Sequence, residues 1–296
     1  MDSHVDGPAA LGPAPLAGLP TAATRATSLS VASAQSGVPP TLGRVPEPDQ
    51  TLSAPADDPS AGRAPFALVV AGVGWIAGMF GGAITSGIVF AVASSGADDF
   101  EFEDLSLGWI AVGQLGLWIG LLGGPWFYAR WTGNGMRREF GLRATLSDVW
   151  VGGLWGLLGQ FGILWIVYLP MQWLTDVTRE ELSEPARDMT ERASDPVGVV
   201  LLILIVGVGA PIVEEIFYRG LLQRSLVRLT SVPVGIGIAS LIFGVVHFQL
   251  LQLPALALAG VLFGVLAHRA GRLGPAIMAH LVFNMTAVVV LLLAES

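Results

Sequence analysis

Ionisable side chains inside apolar helices are costly, so each one needs a physical reason. Three sets between residues 198 and 296 could do chemistry. The first is Glu214-Glu215-Ile-Phe-Tyr-Arg219, inside the run LLILIVGVGAPIVEEIFYRGLL. Successive helical residues differ by about 100° around the axis. Glu215 and Arg219 therefore share a face at i,i+4 and can pair. Glu214 points elsewhere without a local partner, which suits a general base. The second is Phe243-Gly-Val-Val-His247, with Phe243 one turn before the imidazole and able to pack beneath it. The third is His280-Leu-Val-Phe-Asn284, where both polar residues share a face. Both can donate to a developing oxyanion, or orient a water.

Each set alone also fits a blander role. Glu215 with Arg219 could be a helix-end salt bridge, His247 a satisfied core histidine, and His280 with Asn284 polar glue between helices. Phe263, His268 and Arg269 form a fourth, weaker group, in which His268 looks interfacial and non-catalytic. His4 lies in the N-terminal stretch and is set aside.

The elements that must carry these residues are apolar segments near 66–93, 106–128, 149–170, 198–218, 233–251, 254–268 and 274–294. Most reach the roughly 20 residues needed to cross about 30 Å of hydrocarbon. The segment 254–268 is the short one. The expected fold is an all-α, polytopic transmembrane bundle of about seven helices over 65–296, with the catalytic part in 198–294. Glu214 then falls near the middle of its helix. His247 lies roughly 20 Å into its own and His280 roughly 10 Å, at 1.5 Å per residue. Gly78 and Gly82 form a small-xxx-small pair for close helix packing. Residues 1–64, rich in Pro, Ala, Gly and Ser, read as a disordered tail.

Composition agrees. Only 13% of the 296 residues are charged, and mean hydropathy is +0.66. A soluble domain carries about a quarter. The net charge of −8 and the lack of a basic stripe argue against a nucleic-acid partner. The absence of Cys excludes disulfides, thiolate catalysis and Cys-based zinc sites. Every basic residue is Arg, which reads as codon bias in a high-GC genome. The 96–105 loop holds Asp98, Asp99, Glu101, Glu103 and Asp104. The 129–148 loop holds Arg130, Arg137, Arg138 and Arg143. With Arg224, Arg228, Arg269 and Arg272 on the same side, the positive-inside pattern puts the N-terminus in the cytoplasm.

Taken together and in this order, the three motifs resemble the CAAX-protease/bacteriocin-processing family (CPBP, also called ABI). They are Glu214-Glu215-x-x-x-Arg219, Phe243-x-x-x-His247 and His280-x-x-x-Asn284, and the resemblance covers about 135–294, including Gly-Leu-Arg at 141–143. It implies an intramembrane endopeptidase, and the codon bias and tail suggest a bacterial plasma membrane. Its substrate would be a peptide or protein at the bilayer. By resemblance, Glu214 and His247 activate the hydrolytic water, His280 and Asn284 stabilise the oxyanion, and Glu215, Arg219 and Phe243 support them. Glu214, His247 and His280 could also bind one divalent metal such as zinc, or work with no cofactor. Bacterial relatives are implicated in peptide maturation and bacteriocin self-immunity. The alternative is a non-enzymatic membrane protein, either a proton-coupled transporter or an immunity scaffold. Gly209-Ala-Pro211 could then break a helix, although no inverted repeat is visible.

Overall fold

A computed structural model describes residues 61–96 and 99–295. The tail reading of residues 1–60, His4 and Asp98 lie outside them. Every regular element described is helical. A 3-10 turn, Ala61–Arg63, leads into α1, Ala64–Ala93. Then follow α2, Leu107–Trp131, and the long α3, Leu146–Leu174. Next come the polar α4, Arg179–Glu191, and α5, Pro196–Leu229. The last three are α6, Val232–Val245, α7, Leu253–Ala270, and α8, Gly274–Glu295. Six of these are long and apolar enough to cross a membrane, and α6 is a shorter apolar helix. The stripe Val69, Val73, Ile76, Phe80, Ile84 and Ile88 faces outward on α1. A contiguous apolar exterior of this kind fits lipid, not water. The chain is an integral membrane protein.

The helices approach through small residues. A Cβ on Gly78 would meet the Leu117 carbonyl oxygen at 2.9 Å, and one on Gly82 would meet Leu117 Cβ at 3.3 Å. Thr85 Oγ1 donates across the same seam to Gly113 O at 2.6 Å. The close packing expected for Gly78 and Gly82 is present. On the other side, Gly152 and Gly156 of α3 press against α8 near Ala279. That contact fixes the helix bearing His280.

Two expectations about the elements need correction. The short helix is α6, with 14 residues, while α7 has 18. Pro254 sits in the first turn of α7, where its missing N–H costs no intrahelical bond. Phe248 takes φ 56° in the intervening turn. His247 thus lies just past the helix end, not 14 residues inside a longer one.

Gly209-Ala-Pro211 does not break α5. The helix widens into π-turns at Ile203–Gly209 and Glu215–Gln223. A proline ring clashes with the carbonyl four residues back in an α-helix. A wide turn just before Pro211 relieves that clash.

One end of the bundle is tied by polar bonds. The Arg272 guanidinium pairs with the buried Asp148 carboxylate, which also accepts from Thr145 N at 2.9 Å. Leu273 N donates to Gly141 O at 3.1 Å. At the opposite end, Arg192 Nη1 donates to the carbonyls of Glu103 and Leu105 at 2.6 and 2.9 Å.

Candidate functional site

The site grows from Glu215. Its side chain is 0% exposed, so its charge must be matched. Arg219 supplies the match one turn on: Nη1 lies 2.9 Å from Glu215 Oε1. Arg219 Nη2 also donates to Gly260 O at 3.3 Å, where α7 comes close enough because Gly260 has no side chain. Two rings complete the setting. The guanidinium carbon is 4.3 Å from the centre of the Phe243 ring and 5.4 Å from that of Phe263, both within cation–π range.

His280 enters from α8. Its Nδ1 is 2.9 Å from Glu215 Oε1. A carboxylate paired with Arg219 can only accept, so Nδ1 carries the proton and donates. In the neutral ring Nε2 is then bare. That Nε2 is 3.8 Å from Glu214 Oε2. The gap is too long for a direct hydrogen bond and suits one water bonded to both groups. Phe263 stacks on His280 at 4.5 Å and 19°, and Phe243 meets it edge-on at 5.8 Å. His280 is thus held by a carboxylate on one side and two rings.

His247 is oriented by its own turn. Its Nδ1 lies 2.6 Å from Phe243 O. A carbonyl accepts, so Nδ1 donates and Nε2 is again the bare nitrogen. Phe243 packs edge-on against it at 4.9 Å. Phe243 therefore touches both imidazoles, Tyr218 at 5.3 Å, and Arg219.

Asn284 has a different first partner. The π-turn gives Ala210 N to Ile205 O. The next bond in that register would run from residue 211 to Val206 O, but Pro211 has no N–H. Asn284 Nδ2 donates to this orphaned Val206 carbonyl at 2.9 Å. Its second N–H is not used by that bond.

The structure brings Glu214, Glu215, Arg219, Phe243, His247 and His280 into one connected cluster, with Asn284 one turn along α8 from His280. Sequence reading placed Phe263 in the weaker fourth group and gave it no role at the site. Its one available signal is its place between Gly260 and Gly264, both pressed against neighbouring helices. Among the described residues no three His, Asp or Glu side chains are grouped so as to hold a metal ion. Glu214, His247 and His280 are not assembled as a cage.

The comparisons with known proteins fall on this region. Residues 196–286 match a family described as type II CAAX prenyl endopeptidase Rce1-like. A protein of Bacillus subtilis (strain 168) named "Putative membrane peptidase YdiL" is 35% identical over 86 residues. The match covers 29% of this chain and 35% of that protein, so the chain spans about a third of its curated relative. No solved structure gives a significant match. The segment that matches carries all three motifs, so over this region the chain is similar to type II CAAX prenyl endopeptidases and to a membrane peptidase.

Proposed function

We propose that this protein is an intramembrane endopeptidase that hydrolyses a peptide bond of a membrane-associated peptide or protein. The observation that carries the reading is the placement of His280 between two carboxylates, 2.9 Å from Glu215 and 3.8 Å from Glu214. In this mechanism a water between Glu214 and the two bare Nε2 atoms attacks the scissile carbonyl carbon. Glu214 takes the proton, and His247 orients the water. Glu214 then passes that proton to Nε2 of His280, 3.8 Å away, and His280, backed by Glu215, donates it in a hydrogen bond to the oxyanion. Asn284 adds its second N–H. The C–N bond then breaks and the leaving amine takes the proton. Glu215 thus does more than hold Arg219: it fixes the tautomer and aim of His280, as the buried carboxylate does in a catalytic triad.

The test is a proteolysis assay on purified protein in vesicles. Glu214→Ala, His247→Ala and Asn284→Ala should each lower turnover, with Glu214→Ala losing about 10²–10⁴-fold, the usual worth of a general base. Turnover that survives all three changes would rule the mechanism out. The Arg-rich end of the bundle faces the cytoplasm in this reading, and the membrane is a bacterial plasma membrane.

A further inference from the structure

A polar cavity lies at the Arg-rich end of the bundle. It has a volume of about 290 Å³ and is lined by Arg219, Gln223, Arg224, Arg228 and His268 with small apolar neighbours. No carboxylate lines it.

The charges of this cavity are unequally matched. Arg219 is neutralised by Glu215. Arg224 gives its donors to three neutral carbonyls, those of Glu139, Phe140 and Gly271, at 2.8, 3.0 and 3.3 Å. These bonds fix the side chain and leave its charge in place. Arg228 is exposed and, among the described residues, forms no ion pair with a carboxylate. The two guanidinium groups lie within electrostatic reach of each other. Glu139, the acid that Arg224 senses, turns its carboxylate to Thr132 and Asn134 instead. One carboxylate, itself engaged elsewhere, thus stands against two guanidinium groups, and the excess positive charge favours an anion in the cavity.

Gln223 adds the second, independent observation. It is 2% exposed, and its Oε1 has no hydrogen-bond partner among the described residues, although its Nε2 donates to Gly264 O at 3.0 Å. A buried acceptor left without a donor is expensive. A ligand that is anionic and also carries a hydroxyl would satisfy both features.

We infer that this cavity is a binding site for a phosphate group bearing a hydroxyl, the chemistry shared by hydrogen phosphate and a phosphoglycerol lipid headgroup. Guanidinium groups are suited to phosphate through paired N–H donors. Occupancy would also reach the site described above, because Arg219 lines the cavity and holds Glu215.

The experiment uses the purified full chain and reads thermal unfolding. In neutral detergent, sodium phosphate should raise the midpoint more than sodium chloride at equal ionic strength. Arg228→Gln and His268→Gln, both on exposed side chains, should weaken the apparent affinity about tenfold, the loss of one charge-assisted contact. Arg228→Lys should restore part of it. In vesicles, phosphatidylglycerol should stabilise the protein over phosphatidylcholine if the lipid headgroup is the occupant, and added phosphate should then have no further effect. A phosphate effect that persists in phosphatidylglycerol vesicles assigns the site to the free ion. No stabilisation beyond chloride in either setting, or stabilisation unchanged in both Gln variants, overturns the proposal.

Discussion

Asn284 owes its position to a missing hydrogen. Pro211 leaves Val206 O without a backbone donor, and an unpaired carbonyl in hydrocarbon costs several kcal/mol. Asn284→Ala should therefore lower stability as well as activity, by about 1–3 kcal/mol for an unsatisfied buried acceptor. Pro211→Ala restores an N–H at the right place. In the double variant the stability loss from Asn284→Ala should shrink, while the activity loss should remain. Thermal unfolding and turnover measured on all four members of the cycle check this. Equal stability losses with and without Pro211 would show that Asn284 does not serve Val206.

Several residue-level relations were legible in the sequence because they are local. The i,i+4 spacing of Glu215 with Arg219, and of Phe243 with His247, fixes a shared neighbourhood whatever the tertiary fold. The bond from His280 to Glu215 was not legible, since it joins positions 65 apart. Phe263 was hidden for the same reason: its meaning is a stack against a ring on another helix. Asp148, buried at the tie between 141–148 and 271–274, has its partner Arg272 more than 120 positions away and so no local signal.

At the scale of elements, closeness of approach decides the site. Gly260 lets α7 touch α6 so nearly that an added Cβ would lie 2.9 Å from Ser240 Cβ. The same closeness sets Gly260 O within reach of Arg219. Gly260→Ala should then force the helices apart, with a cost of about 1–3 kcal/mol for overpacking. The Arg219 contact would lengthen and turnover should fall, with substrate affinity less affected. Unfolding midpoints and kcat against KM provide the measurement. Gly→Ala in a helix otherwise favours the helix by about 1 kcal/mol, so a stabilised variant would show that the interface is not tight. Hydropathy located α1, α2, α5, α7 and α8 well. It could not show that α6 ends at Val245, because Val246, Phe248, Leu250 and Leu251 carry apolar residues past that end. Apolar content reports the surroundings of a segment and not its backbone conformation.

The whole molecule has two unlike parts. The glycine-rich seam of α1 and α2 is packed backbone to backbone and carries no titratable group into the cluster. The remaining spans supply every polar group of the site. The sequence showed this division through the distribution of charged residues, most of which avoid the first three apolar segments. It could not show how the supplying helices cross, which is fixed by contacts such as Gly156 on Ala279.

The brevity of α6 ties this enzyme reading to the lipid around it. Fourteen residues rise only about 21 Å, against a hydrocarbon layer of about 30 Å. The turn bearing His247 therefore stops well short of one face, and a membrane must thin locally or leave a dent there. Turnover in vesicles of graded acyl-chain length should be highest in short-chain bilayers and fall as the chains lengthen. Activity indifferent to thickness would mean that the dent is filled by protein, for which Gln252, bonded to Leu182 O of α4 at 3.0 Å, marks the place.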